Sequence, residues 1–262
     1  MNHSWQGYKM NDIQKVTFKN SKNLTLVGVL WKASSDAVII LAHGSGSNKR
    51  ARGVFEPLAQ ALQKHGYNVL SFDFSGHGES DDAIVNMQGY IDDLRSAIAF
   101  AKKEGYARIA LFGHSYGALA ALKVYNSDIQ AIVLLGALAG PVIWRWEDML
   151  TPEQLQDVYQ KGYMSEQVDD GLRAIIQHDK NTFKEIADID QKQLLSAIEC
   201  PVLFIHGDAD TVEQDLLVMT QKALTLLPKG SQLVIIPGAS HTFVDHVPQV
   251  IEQAVNWYGK HF

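Results

Sequence analysis

Short strand-like runs recur along the chain, and each breaks off into a glycine-rich polar stretch. Val38–Ala42 gives way to HGSGSN, Asn68–Phe72 to DFSGHGES, and Ile109–Phe112 to GHSYG. Later, Val202–Ile205 runs into HGDAD and Leu233–Ile236 into PGASHTF. Between them, apolar residues fall at helical spacing, as in Phe55, Leu58, Ala59 and Leu62, and again in Ile91, Leu94, Ile98 and Ala101. Short apolar strands alternating with amphipathic helices predict an α/β fold: a mostly parallel sheet flanked by helices. In such sheets ligands gather at the carboxyl ends of the strands. The polar stretches therefore share one edge, and chemistry is expected there.

Two segments depart from that rhythm. Val16–Phe18 and Leu24–Trp31 read as an opening strand pair. From Pro141 to Ser196 the chain is polar and helical in period, with no convincing strand. This predicts a small helical cap (residues 141–196) inserted into a core formed by residues 1–140 and 197–262. A chain of 262 residues suits one such domain with an insertion. A net charge of −6 without a dense basic run argues against nucleic acid as a partner. The lone Cys200 excludes an intrachain disulfide and reads as a buried, inert thiol. The N-terminal stretch has no secretory pattern, and no apolar run approaches the roughly 18 residues of a membrane span. The expectation is a cytoplasmic protein with no membrane partner.

The glycine-rich loop after Ala42 invites a nucleotide-binding reading, which its spacing does not support. A P-loop starting at Gly44 would need its second glycine where Lys49 stands. The dinucleotide fingerprint finds Gly44 and Gly46 and then fails at Lys49, although Asp73 ends the next strand near where a ribose-binding acid would lie. Lys49 and Arg50 are then expected as solvent-facing charges.

GHSYG, residues 113–117, matches G-x-S-x-G and stands between a strand and a helix, the context that motif needs. Small residues two before and two after the serine let strand and helix approach closely. Ser115 becomes the candidate nucleophile, and the helix N-terminus favours an anionic intermediate beside it. A serine needs a base, and the base needs a carboxylate, in the order Ser, acid, His for this motif. Asp208 and Asp210 both follow the Val202–Ile205 strand. Asp208 directly follows Gly207 and suits an Asx turn, so Asp210 is the candidate acid. His241, across a short loop from the last strand, is the candidate base in preference to His246. His43, His77 and His206 adjoin glycines and are expected to make loop hydrogen bonds, and His114 is expected to be structural. No HExxH or HxH pattern occurs, so no metal site is expected.

Taken together, HGSGS, FDFSGHGES, GHSYG, IHGDAD and GASHTF resemble the α/β-hydrolase superfamily from about Val16 to the end. The look is nearest to compact bacterial carboxylesterases of the cinnamoyl and feruloyl type with a short cap. The resemblance implies the α/β-hydrolase fold, no cofactor, and an oxyanion hole made by the backbone N–H groups of Ser45 and Tyr116. On that basis the Ser45 amide matters and its hydroxyl does not. One departure is DTVEQ after Asp210, where relatives often carry D-x-x-V-P.

The expected reaction is hydrolysis of a small or medium carboxylic ester through an acyl-enzyme on Ser115. A thioesterase or an aminopeptidase-like amidase of the same fold is the alternative, and a non-catalytic binding protein the third. An amidase of that kind would need an acidic group in the cap for the substrate's amine. In the cap, Trp144, Trp146 and Met149 are the candidate pocket residues, followed by Tyr159, Tyr163 and Met164. They either line an acyl site or merely pack the cap onto the core.

Overall fold

The computed structural model describes residues 12–168 and 173–262. An eight-stranded sheet has the order β1-β2-β4-β3-β5-β6-β9-β10. β1 (Ile13–Lys19), β2 (Thr25–Trp31) and β4 (Asn68–Phe72) pair antiparallel in turn. From β4 onward, β3 (Ala37–Ala42), β5 (Arg108–His114), β6 (Ile129–Leu135), β9 (Val202–His206) and β10 (Gln232–Ile235) are parallel. This is the mostly parallel sheet that the sequence pattern predicts, and the α/β-hydrolase fold that the resemblance implies.

The central strands are apolar throughout because both faces are covered. Alternate residues point to opposite sides. Val38, Ile40, Leu111, Ile132 and Phe204 face one cluster, with α2 (Met87–Lys103), α3 (Tyr116–Val124) and α8 (Thr211–Ala223). Ile39, Leu41, Phe112, Val133 and Ile205 face the other, with α1 (Phe55–Lys64) and α9 (Val247–His261). Each such side chain contributes about 1.5–3 kcal/mol by leaving water. Cys200 is buried in the first cluster, and burial pushes its thiol up to about 11.

The segment between β6 and β9 corrects an expectation. It holds helices α4 (Trp146–Met149), α5 (Pro152–Lys161), α6 (Thr182–Ala187) and α7 (Gln191–Leu195). It also holds an antiparallel hairpin, β7 (Tyr163–Gln167) with β8 (Ile175–Asp179), so the insertion is not purely helical. The strands YMSEQ and IIQHD escaped notice because they are short and only partly buried, and so carry no apolar run. α5, by contrast, is fully signed: Thr151 and Gln154 form a capping box, Pro152 opens the helix, and Gly162 closes it at φ +81°.

Lys49 is a second correction. It is 6% exposed, and its ammonium bonds Asp73 Oδ2 at 2.5 Å and Glu79 Oε2 at 2.7 Å. Asp73 is fully buried and also accepts the Lys49 and Glu79 backbone N–H groups. A buried carboxylate needs such a partner. The acid that looked like a ribose ligand is thus occupied in bracing the loop after β3. Arg50 is exposed, as expected.

Candidate active site

The turn from β5 into α3 is built on close contacts. A Cβ at Gly113 would lie 2.6 Å from the Ala118 Cα, and one at Gly117 only 2.3 Å from the Ala42 carbonyl oxygen. Between them Ser115 takes φ +53° and ψ −118°, a strained backbone that lifts its side chain clear of the sheet. Its N–H is tied to the Leu135 carbonyl of β6 at 2.9 Å.

Ser115 Oγ lies 2.9 Å from His241 Nε2. His241 sits on the loop after β10, and His114 supports that loop by donating Nε2–H to the His241 carbonyl at 2.8 Å. Burial first, then the nearby His241, lowers the His114 pKa to about 3, so it serves as a neutral donor.

The carboxylate against the His241 imidazole belongs to Glu213, not to Asp210. His241 Nδ1–H donates to Glu213 Oε1 at 2.5 Å. Asp210 instead spends both oxygens on backbone: Oδ1 accepts Glu213 N–H at 2.8 Å and Oδ2 accepts His241 N–H at 2.7 Å. It is the N-cap of α8. α8 starts at Thr211, which puts Glu213 in its first turn and not in a loop. The run Asp210-Thr-Val-Glu213 is spelled like a capping box, and that signal marks Asp210 as a cap. The Glu213 side chain, however, turns toward His241 instead of back to the N-cap.

Glu213 is fully buried, and three donors hold it. Besides His241, His206 Nδ1–H reaches Oε2 at 2.8 Å and Gly207 N–H reaches it at 2.9 Å. Burial works to raise its pKa, but the hydrogen bonds from His206 and His241 prevail and hold it at about 2. His206 is itself buried, with Nε2 at 2.9 Å from Thr220 Oγ1, so its bonds reach α8 and are not confined to a loop. Gly136, at the end of β6, leaves room for the pair: a Cβ there would meet Glu213 Oε1 at 2.6 Å and His241 Nδ1 at 2.9 Å.

The other histidines of the sheet edge are structural. His43 donates Nδ1–H to the Gly44 carbonyl and accepts the Phe74 N–H at Nε2. His77 bonds the Ser75 carbonyl and the Tyr90 phenol, and burial keeps it neutral. Asp208 Oδ1 accepts the Gly238 N–H at 2.7 Å, joining two loops.

Ser45 and Tyr116 line one cavity with Ser115. Among the described residues neither of their N–H groups reaches an acceptor. The cavity measures about 180 Å³, and Leu138, Trp144, Met164, Phe183 and Ile186 make its apolar wall. Glu166 and His178, from the hairpin, supply its polar side. Trp144 lines this cavity, with its indole N–H on Asp215. Met149, in the single turn of α4, is not among the lining residues and is 50% exposed on the surface. The side chain of Trp146 lies outside the described residues. A larger hollow of about 360 Å³ beside α3, α6 and α7 contains none of these catalytic candidates.

Residues 33–188 match the family model of the serine aminopeptidases, S33, which is more than half of the chain. The chain belongs to this family. A relative, the uncharacterized protein YfhR of Escherichia coli O157:H7, is 27% identical over 84% of this chain and 69% of its own length. The same-named protein of strain K12 is matched over 63% of its length, so the chain spans about two thirds of these relatives. A carboxylesterase of Bacillus subtilis is 24% identical over 67% of this chain and 72% of its own. Among solved structures, Est1E from Butyrivibrio proteoclasticus, determined with ferulic acid bound, superposes with a TM-score of 0.73 at 20% identity. That match covers 94% of this chain and 98% of Est1E, and it supports the α/β-hydrolase fold. Family and fold together make the chain a hydrolase. Among the described residues, no helix is long and apolar enough to cross a membrane.

Proposed function

We propose that the chain hydrolyses small or medium carboxylic esters, with Ser115 as nucleophile, His241 as general base and Glu213 as the acid. One observation carries this reading: Ser115 Oγ, the His241 ring and the Glu213 carboxylate form an unbroken hydrogen-bonded line at a strained turn facing the cavity. Ser115 donates its proton to His241 Nε2 as Oγ attacks the carbonyl carbon. Glu213 fixes the ring with its proton on Nδ1, leaving Nε2 free to accept, and then stabilises the imidazolium. The Ser45 and Tyr116 amides receive the oxyanion, and each such donor is worth about 3 kcal/mol. His241 next protonates the leaving alkoxide. It then draws a proton from water, whose oxygen attacks the acyl carbon, and hands that proton to Ser115 Oγ as the acyl–Oγ bond breaks. The apolar wall suits a short or medium acyl group, the substrate is a small molecule, and a cytoplasmic setting remains the expectation.

The test is Ser115→Ala against p-nitrophenyl butyrate, with a fluorophosphonate label read by mass spectrometry. Turnover should vanish in the variant with the fold intact, and in the unmodified chain the label should sit on Ser115. Persisting turnover, or a label elsewhere, removes the nucleophile from this account.

An aminopeptidase-like amidase is the second reading, and Glu166 is the observation that favours it. Its carboxylate stands in the cavity wall, where a substrate's ammonium would find a partner. Comparing kcat/KM for p-nitrophenyl esters, thioesters and aminoacyl p-nitroanilides separates the readings.

A further inference from the structure

The Ser45 hydroxyl is not idle. It lies 3.2 Å from Nδ1 of His178, on β8 of the inserted hairpin. His178 is 3% exposed, and its Nε2–H donates to Glu166 Oε2 at 2.7 Å. Strand register creates this pair: Met164 stands opposite His178 and Glu166 opposite Ile176, so Glu166 and His178 are diagonal neighbours on one face. With Nε2–H committed to the carboxylate, Nδ1 is the ring atom left to pair with the Ser45 hydroxyl.

The hairpin that carries His178 is itself anchored to the core. Val85 N–H donates to the Gln177 carbonyl at 2.7 Å, and Asp179 N–H to the Val85 carbonyl at 2.9 Å. Glycines flank Ser45 on both sides. Gly44 comes so close to the nucleophile that a Cβ would lie 3.0 Å from the Ser115 Cβ. Gly46 holds φ +67°, and a Cβ there would lie 3.0 Å from Glu166 Oε1. A Gly-Ser-Gly stretch has little intrinsic stiffness. The Ser45 side chain is therefore the handle by which the aim of its own N–H can be fixed.

We propose that His178, held by Glu166, positions the oxyanion loop through the Ser45 hydroxyl, so that the hairpin of the insertion sets the catalytic rate. This rests on Ser115 as nucleophile and on the Ser45 N–H as an oxyanion donor. Such a donor must lie about 2.7–3.1 Å from the oxyanion, and a misplacement of about 1 Å costs on the order of 10²-fold in rate. Ground-state binding through the apolar wall is untouched. The effect falls on kcat and on the affinity for tetrahedral analogues. It also reverses the expectation that Ser45→Ala is harmless.

The experiment measures kcat and KM for p-nitrophenyl butyrate, and the inhibition constant of an alkyl boronic acid, in His178→Ala, His178→Asn and Ser45→Ala. His178→Ala should lower kcat about 10- to 100-fold, leave KM within about twofold, and weaken the boronic acid by the same factor as kcat. His178→Asn keeps an amide atom near the place of Nδ1 and should recover most of the rate. Ser45→Ala should lose as much as His178→Ala, and combining the two should cost nothing more. Wild-type kcat in His178→Ala overturns the proposal. So does a raised KM at unchanged kcat, which would make His178 a substrate contact, and so do additive losses in the double variant. If His178→Ala does not fold, Ser45→Ala, which deletes only an oxygen, decides: wild-type kcat there overturns the proposal. Fluorophosphonate labelling of the unmodified enzyme and the Ser115→Ala variant test the serine-hydrolase reading on their own. An enzyme that passes both yet ignores His178 loses only the positioning role.

Discussion

Glu213→Gln and Asp210→Asn should have very different consequences, and the contrast follows from counting donors. Three N–H groups converge on the Glu213 carboxylate: His206 and Gly207 on Oε2, and His241 on Oε1. A glutamine has one acceptor oxygen. Turned toward His206 and Gly207 it satisfies two donors, and turned toward His241 only one, so the first orientation wins. Its NH₂ then faces His241 Nδ1, and the ring answers by carrying its proton on Nε2. Nε2 faces Ser115 and can no longer accept. A wrong tautomer of this kind lowers kcat by about 10⁴-fold in serine protease triads, or about 5.5 kcal/mol at roughly 1.4 kcal/mol per decade. Asp210→Asn keeps one oxygen for one of two backbone donors and weakens an N-cap, at about 1 kcal/mol of stability and within tenfold of kcat. The assay is steady-state hydrolysis of p-nitrophenyl butyrate, with thermal unfolding as a control for folding. If Asp210→Asn falls by about 10³-fold while Glu213→Gln stays within tenfold, the acid is Asp210 and the reasoning fails.

Gly136→Ala should lower kcat by about 10²-fold, because its Cβ would enter the space of Glu213 Oε1 and His241 Nδ1 and a residue at φ +52° is strained. Wild-type kcat in that variant would mean that the pair can shift without loss. Lys49→Met should cost about 3–5 kcal/mol in urea unfolding, since it strands the fully buried Asp73 carboxylate. A change within about 0.5 kcal/mol would return Lys49 to the solvent-facing role its sequence suggests. Glu213 moves from an ordinary value of 4.5 to about 2 on folding, so its ionised form contributes stability above pH 4.5 that is lost as pH falls toward 2. The contribution is of order 3 kcal/mol. Acid titrations of stability should show that slope in the wild type and lose it in Glu213→Gln, and identical slopes would refute the shift.

The sheet was legible because its central strands are covered on both sides, which leaves a continuous apolar run at each strand and a polar break at each end. The turn at Ser115 was legible for a steric reason: backbone atoms stand where Cβ atoms of residues 113 and 117 would be, so only glycine fits. The hairpin of the insertion was not, since most of its residues are only partly buried and their pairing is set by contacts far along the chain, such as Val85 with the β8 backbone. Lys49 was misread for a related cause. Its partners Asp73 and Glu79 lie at another strand end, and nothing local to the GSGSNKR stretch announces them.

The acid illustrates where spacing stops being informative. Asp210 and Glu213 are one helical turn apart, and both reach the loop that carries His241. Which one meets the ring depends on where α8 begins. Because Asp210 is the N-cap, its short side chain is drawn to backbone N–H groups, and the longer Glu213 in the first turn is left to span the gap. His206 then becomes intelligible. A glutamate placed in so buried a site needs more donors than the base alone can supply, and His206 with Gly207 provides them. The glutamate in DTVEQ, which departs from the D-x-x-V-P pattern that the resemblance led one to expect, is therefore tied to the histidine before Gly207. On this account, restoring a conventional aspartate acid would require altering both partners together. Glu213→Val alone would strand His206, and His206→Leu alone would leave Glu213 buried with one donor fewer. The two changes combined should be less damaging to stability than the sum of the single ones, a coupling that a double-mutant cycle in urea reads directly.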